Sequence, residues 1–457
     1  MKNVLQYMGL CLFGLSIIIH GGSRPNVIFI LTDDQRADSL GILGNPNVKT
    51  PNMDRLIESG TFFSQTYIQG TMTQATCLPS RAMIMSGKSL FRAPMKLDEG
   101  KLLPESFKDA GYNTFATGKW HNGTGSFLKC FNEGEAVFLG GAARDHYQVP
   151  LNYRDGDHME PYELPGVFST TLFADAAITF LKNQSQAEAP FFCYIPFTAP
   201  HSPFDPPGKY ATMYDPEKIV LPPNHSNILG DAARPNRRRP IEGKPESIAA
   251  YYGMISHLDF HIGRILKALE TTGKTNETVI VFATDHGLSM QSHAKTGKHN
   301  AFEDSSKAIL SISGPGIPKN KRSPALAYLY DIYPTLCELS GLNIPVGIEG
   351  RSLAGIIKGK KTKVRDFLFT AYMANERTIR NDRWKLFTGL DENQIQLFDL
   401  LNDPYELKDL SNQPQNQLLI KNLKAELVKA RDYYGDDPSI SNSGFAPRRG
   451  GLFRRRF

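Results

Sequence analysis

Four short, largely apolar runs, each followed at once by polar residues, constrain the fold of this chain most strongly. The runs cover residues 27–31, 113–117, 191–197 and 278–283. Unbroken apolar runs of this length are typical of parallel strands that are buried on both faces. Helix-like spacing of apolar residues lies between them, over residues 50–57, 170–182 and 247–269. This alternation predicts an α/β fold with a large, mostly parallel central sheet flanked by helices.

Polar side chains that could take part in binding or catalysis follow all four apolar runs. These side chains are Asp33 and Asp34, Lys119 and His121, His201, and Asp285 with His286. In open sheets of parallel strands, ligands bind beyond the carboxyl ends of the strands. The sequence therefore predicts that residues far apart along the chain meet at one edge of the sheet and form an active site there.

The acidic residues of this set favour a metal site. Asp33, Asp34 and Asp285 would place three negative charges at one edge, where they repel one another unless a cation joins them. Oxygen ligands favour Ca²⁺ or Mg²⁺ over zinc. The alternative for an isolated Asp-Asp pair is a helix or turn cap, but the same pattern at two strand ends favours the metal.

The basic residues of the set suit an anion. Lys119, His121, His201 and Lys298, together with Arg81, would form a pocket for a tetrahedral dianion or monoester such as sulfate or phosphate. A structural role is the alternative for each histidine taken alone.

A short motif lies between these groups in sequence. Cys77-Leu78-Pro79-Ser80-Arg81 places a thiol beside a rigid proline, a hydroxyl and a permanent cation. That arrangement suits a modified or ionised side chain. The alternative is an inert buried cysteine beside a turn.

The two ends of the chain differ from its middle. Residues 1–23 combine Lys2, an apolar stretch and small residues near a cleavage point, which predicts a signal peptide and an exported protein. The apolar stretch is too short for stable membrane insertion. We expect a catalytic domain over residues 24–360, a C-terminal α+β subdomain over 361–435 and a disordered basic tail over 436–457.

The C-terminal subdomain is expected to be a small antiparallel sheet with one packing helix. Its predicted strands cover residues 367–372, 383–388 and 396–400, and its predicted helix covers 415–434.

The net charge limits the classes of binding partner, and the cysteine count bears on disulfide bonds. The formal charge of +6 and the pI of about 8.8 are compatible with an anionic partner or simply with a solvated basic surface. No basic-aromatic recognition motif points to nucleic acid. The arginines of residues 234–239 could bind further sulfates of a substrate or form a solvated loop. If Cys77 is chemically special, three cysteines remain after the signal peptide, which argues against a disulfide framework.

With these motifs in place, the chain resembles the formylglycine-dependent type I sulfatases of the alkaline-phosphatase-like superfamily. The Cys77–Arg81 motif matches the family's maturation motif Cys-x-Pro-Ser-Arg. Further matching blocks cover residues 32–36, 117–121, 199–203, 285–287, 297–298, 397–400 and 403–404. The resemblance extends from about residue 25 to residue 430, with the blocks in the family's order.

The resemblance implies a calcium site and a modified nucleophile. Asp33, Asp34, Asp285 and His286 would hold one Ca²⁺ together with the matured residue at position 77, although many relatives carry Asn where this chain has His286. A maturation system of the cell would convert Cys77 to formylglycine. One hydroxyl of the aldehyde hydrate would then attack sulfur.

The resemblance also assigns roles to the basic residues. Arg81 and Lys119 would stabilise the hydrate and its charge, and His121 would accept the proton of the second hydroxyl as the sulfated intermediate collapses. His201 and Lys298 would hold the sulfate oxygens and protonate the leaving alcohol. We add His293 as a candidate substrate contact, because it closely follows Asp285 and His286 in sequence.

The expected substrate is a sulfated glycan or a small sulfate ester. One alternative is a phosphodiesterase or phosphonate monoester hydrolase of the same superfamily. A second alternative, of another class, is an inactive protein that binds sulfated glycans.

Overall fold

The computed structural model describes residues 24–226, 242–374, 376–389 and 394–437. The predicted signal peptide (1–23), the arginine-rich stretch (234–239) and all but the first two residues of the predicted tail (436–457) lie outside the described residues. Among the described residues, no helix has the length and apolar character needed to cross a membrane.

Strands and helices alternate through most of the described chain. The strands are β1 (Asn26–Thr32), β2 (Gly60–Tyr67), β3 (Gly70–Thr71), β4 (Asn113–Lys119), β5 (Glu133–Phe138), β6 (Leu151–Asp155), β7 (His158–Tyr162), β8 (Phe191–Pro196), β9 (Thr278–Thr284), β10 (Lys307–Ala308), β11 (Leu310–Ser313), β12 (Lys321–Tyr328), β13 (Leu368–Tyr372), β14 (Glu376–Arg380), β15 (Trp384–Thr388) and β16 (Ile395–Asp399). The helices are α1 (Pro51–Glu58), α2 (Cys77–Ser86), α3 (Leu103–Asp109), α4 (Thr124–Cys130), α5 (Ser169–Asn183), α6 (Pro245–Thr271), α7 (Glu303–Ser306), α8 (Ile332–Leu339), α9 (Ala354–Ile357) and α10 (Gln417–Tyr434).

The larger sheet confirms the predicted α/β architecture. Its strand order is β10-β2-β11-β9-β1-β8-β4-β5-β6-β7, and β12 pairs with β2 outside this path. The central strands β9, β1, β8, β4 and β5 run parallel to one another. Antiparallel strands flank them on both sides, so the sheet is mixed as a whole.

The four predicted apolar runs are the strands β1, β4, β8 and β9 at the centre of this sheet. The side chains of β1 alternate between two cores: Val27, Phe29 and Leu31 lie in one, and Ile28 and Ile30 in the other. A strand that is buried on both faces needs apolar residues at every position, which explains the unbroken runs. All seven residues of β1 are buried.

Strand register brings the polar residues to one edge. Leu31 is paired with Pro196 of β8 and with Ala283 of β9, so these three strands end at the same level. The backbone N–H of Asp285 donates to the carbonyl of Thr32 over 2.9 Å, which extends the pairing by one step. Residues that follow β1, β8 and β9 therefore lie side by side, as predicted.

The predicted helices over residues 50–57, 170–182 and 247–269 are α1, α5 and α6. Pro51 and Pro245 occupy the first positions of α1 and α6, where a missing N–H leaves no hydrogen bond unmade. Both α5 and α6 contribute to the core that contains Ile28 and Ile30.

The smaller sheet has the order β16-β15-β14-β13-β3. β13 to β16 pair antiparallel, and the predicted strands and helix over residues 367–434 correspond to β13, β15, β16 and α10. β14 was not predicted because charged residues interrupt its apolar pattern. Two of them are buried through ion pairs, Arg377 with Asp436 and Arg380 with Glu303. β3, from the N-terminal part of the chain, adds a parallel edge strand.

A buried ion pair connects the larger and smaller sheets. Arg365, shortly before β13, donates from Nη2 to Oδ1 of Asp331 over 2.7 Å. Asp331 precedes α8 and also accepts the backbone N–H groups of Tyr328 and Arg351. The Arg365 guanidinium lies over the ring of Tyr328, 4.8 Å from the ring centroid. Asp331 has lost its contact with water, so the stability of its buried charge depends on the Arg365 guanidinium.

Replacing Arg365 with methionine is expected to lower the free energy of unfolding by about 3–5 kcal/mol. Methionine keeps most of the packing over Tyr328 but leaves Asp331 buried without its countercharge. The measurement is the midpoint of chemical denaturation, followed by circular dichroism. The control is Lys363→Met, which removes an exposed pair with Asp366 and should leave the midpoint unchanged. Equal midpoints for both variants would contradict the prediction.

Candidate active site

Cys77 lies at the first position of α2, beside the carboxyl ends of the central strands. Its side chain is buried, with the residue only 3% exposed. Ser80 Oγ donates to the carbonyl of Asp285 over 2.6 Å, and Thr76 Oγ1 donates to the carbonyl of Lys298 over 3.2 Å. These two bonds hold the start of α2 against the end of β9 and against the segment that carries Lys298. Ser80 of the motif therefore has a structural role.

Arg81 joins three parts of the site. Its Nη1 donates to the carbonyl of Lys119 over 2.8 Å. Its Nη2 lies 3.2 Å from Oδ2 of Asp285 and 3.5 Å from Oδ2 of Asp33. The residue is 1% exposed, so its charge is almost unscreened by water.

Two lysines flank the thiol. Lys119 contacts Oδ2 of Asp33, and Lys298 Nζ lies 2.5 Å from Oδ1 of Asp34 and 3.9 Å from Sγ of Cys77. Burial alone would raise the pKa of the Cys77 thiol, but the charges of Lys119 and Lys298 outweigh it and hold that pKa well below its usual range. The position is therefore built to stabilise a negative charge.

A group of potential metal ligands surrounds this thiol. Asp33, Cys77, Asp285 and His286 each offer one atom, and these atoms lie within 4.8 Å of one another. His286 Nδ1 donates to the carbonyl of Gly287 over 2.9 Å, which turns Nε2 toward the carboxylates. Buried Oδ1 of Asp33 and Nε2 of His286 have no hydrogen-bond partner among the described residues. Unpartnered buried atoms that converge in this way fit a bound cation.

The pKa values of two of these ligands also favour a bound cation. Burial and then the charge of Asp33 raise the pKa of Asp285 to about 6. Burial would lower the pKa of His286, but the carboxylate of Asp285 outweighs it and raises that pKa to about 9. Without a cation, a pKa of about 9 leaves His286 protonated at neutral pH, whereas Asp285, with a pKa of about 6, takes up a proton only in mild acid. A divalent cation would displace the His286 proton, and the carboxylates of Asp33 and Asp285 suit Ca²⁺ or Mg²⁺.

Asp34 lies between the metal ligands and the anion-binding side chains. Its backbone φ of 61° is positive, and its N–H donates to Oδ1 of Asp285 over 3.1 Å. Oδ2 of Asp34 lies 3.7 Å from Nε2 of His201, and Oδ1 lies 3.4 Å from Nε2 of His286. The two predicted aspartates thus occupy different places: Asp33 faces Lys119 and Arg81, whereas Asp34 faces Lys298 and the histidines.

His121 and His201 complete the group, and each lies against a residue outside the predicted motifs. A Cβ atom at Gly141 would lie 2.3 Å from Nε2 of His121, so any larger residue there would have to displace that ring. His146, which is buried, lies with Nε2 2.9 Å from the carbonyl of His201. Neither residue belongs to a recognisable motif, and only the tertiary contacts reveal them.

His293 lies in a different group. Its ring stacks on Phe302 at a centroid distance of 3.9 Å, and its Nε2 is 3.2 Å from Nδ2 of Asn224. The potential ligands nearest to it are Asp304 and Glu406. Its predicted contact with substrate remains a prediction, whereas the other predicted site residues are brought together around Cys77.

The arrangement as a whole combines a cation site with a surface for a tetrahedral anion. The cationic side chains around the thiol are Arg81, Lys119 and Lys298, and the imidazole rings of His121 and His201 lie with them. An oxyanion bound there would meet several fixed cations in a water-poor setting, where electrostatic stabilisation of a transition state is strong.

Comparison with known proteins agrees with this chemistry. A family model described as Sulfatase matches residues 25–342, and one described as N-sulphoglucosamine sulphohydrolase, C-terminal, matches residues 292–433. An ulvan-active sulfatase of Formosa agariphila is 31% identical to the chain over 445 residues, covering 90% of this chain and 84% of that protein.

Solved structures share the fold. One protein, solved in complex with its substrate D-glucosamine-2-N,6-O-disulfate, aligns with a TM-score of 0.78 and 21% identity, covering 92% of this chain and 100% of that one. A phosphonate monoester hydrolase of Agrobacterium radiobacter aligns with a TM-score of 0.73 and 22% identity, covering 90% of this chain and 96% of that one.

Proposed function

Since this chain belongs to the sulfatase family and is a sulfuric ester hydrolase, we propose that it removes sulfate from sulfated glycans with a nucleophile derived from Cys77. The observation that carries the proposal is the setting of Cys77: a buried thiol between two lysines, at the edge of a carboxylate group with unpartnered ligand atoms. The glycan part of the proposal is supported by the ulvan-active relative.

The nucleophile requires maturation of Cys77 to formylglycine by a maturation system of the cell. A thiol that became sulfated would have no second hydroxyl with which to expel sulfate, so unmodified cysteine cannot complete a cycle. The hydrated aldehyde supplies both hydroxyls, one that attacks sulfur and one that lets sulfate leave. Arg81 and Lys119 orient this residue and stabilise its negative charge.

The metal ligands in this proposal are Asp33, Asp34, Asp285, His286 and residue 77. Bound Ca²⁺ would polarise the sulfate ester and balance the charge of the carboxylates. Ca²⁺ accepts carboxylate-rich, irregular coordination, which agrees with the aspartates of this set.

Proton transfer falls to the two histidines and Lys298. His121 accepts a proton from residue 77, and its hydrogen bond with the Cys77 thiol supports this role. His201 and Lys298 both reach Asp34 and would face the bound sulfate, where they hold its oxygens. Either can supply the proton that the leaving alcohol needs.

The organisation of the protein follows from this role. We propose that residues 1–23 direct export, that residues 24–360 form the catalytic domain and that residues 361–435 form the C-terminal subdomain, with a basic tail over 436–457. An exported enzyme would meet extracellular sulfated polysaccharide.

The rival reaction is hydrolysis of phosphodiesters or phosphonate monoesters, which the structural similarity to a phosphonate monoester hydrolase makes worth testing. The test compares kcat/KM of the matured enzyme on 4-nitrophenyl sulfate, bis(4-nitrophenyl) phosphate and 4-nitrophenyl phenylphosphonate. We expect the sulfate ester to be preferred by at least about tenfold. A preference for either phosphorus ester would favour the rival. No turnover at all by matured protein would favour a glycan-binding role.

A further inference from the structure

A cavity opens beside the catalytic group. It has a volume of about 690 Å³ and lies between the segment around Lys96 and the start of α4. Its lining includes Leu78, which directly follows Cys77, and His121. The cavity therefore begins at the catalytic residues and leads away from them. Its size falls within the range of about 300–1,000 Å³ that is common for small-molecule sites.

The walls of this cavity are held in place by one buried amide. Asn122 is 2% exposed, and its Nδ2 donates to the carbonyl of Met95 over 2.7 Å and to that of Leu78 over 3.3 Å. One side chain thus joins the segment before Lys96 to the residue after Cys77. The cavity is consequently preformed, which reduces the ordering cost of binding.

The lining carries two lysines, only one of which is free to contact a ligand. Lys129 lines the cavity but is engaged, because its Nζ lies 3.1 Å from Glu105 and donates to the carbonyl of Gly100. Lys96 is exposed at the cavity. No carboxylate among the described residues forms an ion pair with it. Asp98 also lines the cavity and offers a contact to a neutral or cationic ligand. An anionic ligand can instead pair with Lys96.

We propose that this cavity receives the sugar residue adjoining the scissile sulfate, and that Lys96 binds a further sulfate or carboxylate group of the same glycan. The inference rests on the proposed function and adds to it a substrate class: polyanionic oligosaccharides rather than small sulfate esters. A sugar placed along Leu78 and His121 would keep its sulfate at residue 77 while its next anionic group reaches the cavity rim.

Gly125 offers a direct steric test. A Cβ atom built on Gly125 has no atom within 4 Å, and the residue lines the cavity. Gly125→Phe therefore fits the backbone and projects into the open space. We expect kcat/KM on sulfated oligosaccharides to fall about tenfold or more, while kcat/KM on 4-nitrophenyl sulfate changes less than about twofold. Gly125→Ala is the size control and should leave both values unchanged.

Lys96 offers an independent electrostatic test. Lys96→Glu is expected to raise KM for oligosaccharides with two or more anionic groups about five- to tenfold, with little change in kcat. The effect should shrink at high salt, because the charge is exposed. The control is Lys182→Glu, which makes the same charge change on α5, away from the cavity lining.

Both tests use matured full-length enzyme and a panel of ulvan, heparan sulfate, chondroitin sulfate and carrageenan oligosaccharides. If the wild type cleaves 4-nitrophenyl sulfate but none of the oligosaccharides, the cavity proposal is wrong while the sulfatase proposal stands. Equal losses on oligosaccharide and aryl ester, or no loss in either variant, would also overturn it. If the wild type cleaves no sulfate ester at all, the proposed function itself fails.

Discussion

Replacing Cys77 with alanine is expected to abolish hydrolysis of sulfate esters, with kcat falling by at least roughly 10⁴-fold. The physical reason is the loss of the nucleophile, since the surrounding cations can bind a sulfate ester but cannot attack it. Affinity for a sulfated oligosaccharide should be largely retained, because the anion-binding side chains remain. The measurement pairs steady-state kinetics with equilibrium binding of the same oligosaccharide.

The control for this variant is Cys193→Ala. Cys193 is buried in β8 and its pKa is raised by burial alone, so it is an inert core residue and its replacement should keep activity. Mass spectrometry of the wild-type peptide that contains Cys77 should show conversion of the thiol to an aldehyde. Full sulfatase activity in protein whose Cys77 peptide is wholly unmodified would refute the mechanism.

Removal of bound metal should lower kcat/KM by roughly 10³-fold, because several kcal/mol of transition-state stabilisation depend on the cation. Activity should return when Ca²⁺ is added after chelation. Elemental analysis should find about one calcium per chain. Saturating Ca²⁺ should also raise the melting temperature, since a ligand that binds only the folded state stabilises it.

Variants locate the metal site. Asp285→Ala and Asp33→Ala should lose both the bound calcium and the calcium-dependent rise in melting temperature. Asp304→Asn is the matched control: Asp304 is also buried and acidic but belongs to the separate group around His293. Calcium that persists in Asp285→Ala, or that disappears in Asp304→Asn, would place the ion elsewhere.

The meeting of the strand-end residues could be predicted, because it depends on topology and not on side-chain detail. Once residues 27–31 and 278–283 are recognised as neighbouring parallel strands, Asp33 and Asp285 must lie close together. The same logic located Lys119 and His201. The substrate contact of His293 stays a prediction, because nearness in sequence to Asp285 does not determine which way a loop residue faces. Its ring stacks on Phe302, which belongs to a segment beyond the strand.

Residues that act through shape or through non-local pairing could not be predicted from the chain. Gly141 matters only because the ring of His121 occupies the space where a side chain would be. β14 has charged residues that look solvent-exposed in sequence, and their partners Asp436 and Glu303 lie far away along the chain. β3 has only two residues and is defined by its pairing with β13.

The burial of Cys77 also limits the period during synthesis in which the thiol is accessible. The side chains that enclose it come from much later in the chain: Lys298 lies 221 positions further on, and β3 finds its partner strand only at Ala371 and Tyr372. At a synthesis rate of about 5–20 residues per second, the thiol stays uncovered for a period on the order of tens of seconds after it is made. An enzyme that oxidised Cys77, as proposed, would thus have its best access to the growing, incompletely folded chain, and the finished fold would then enclose the modified residue.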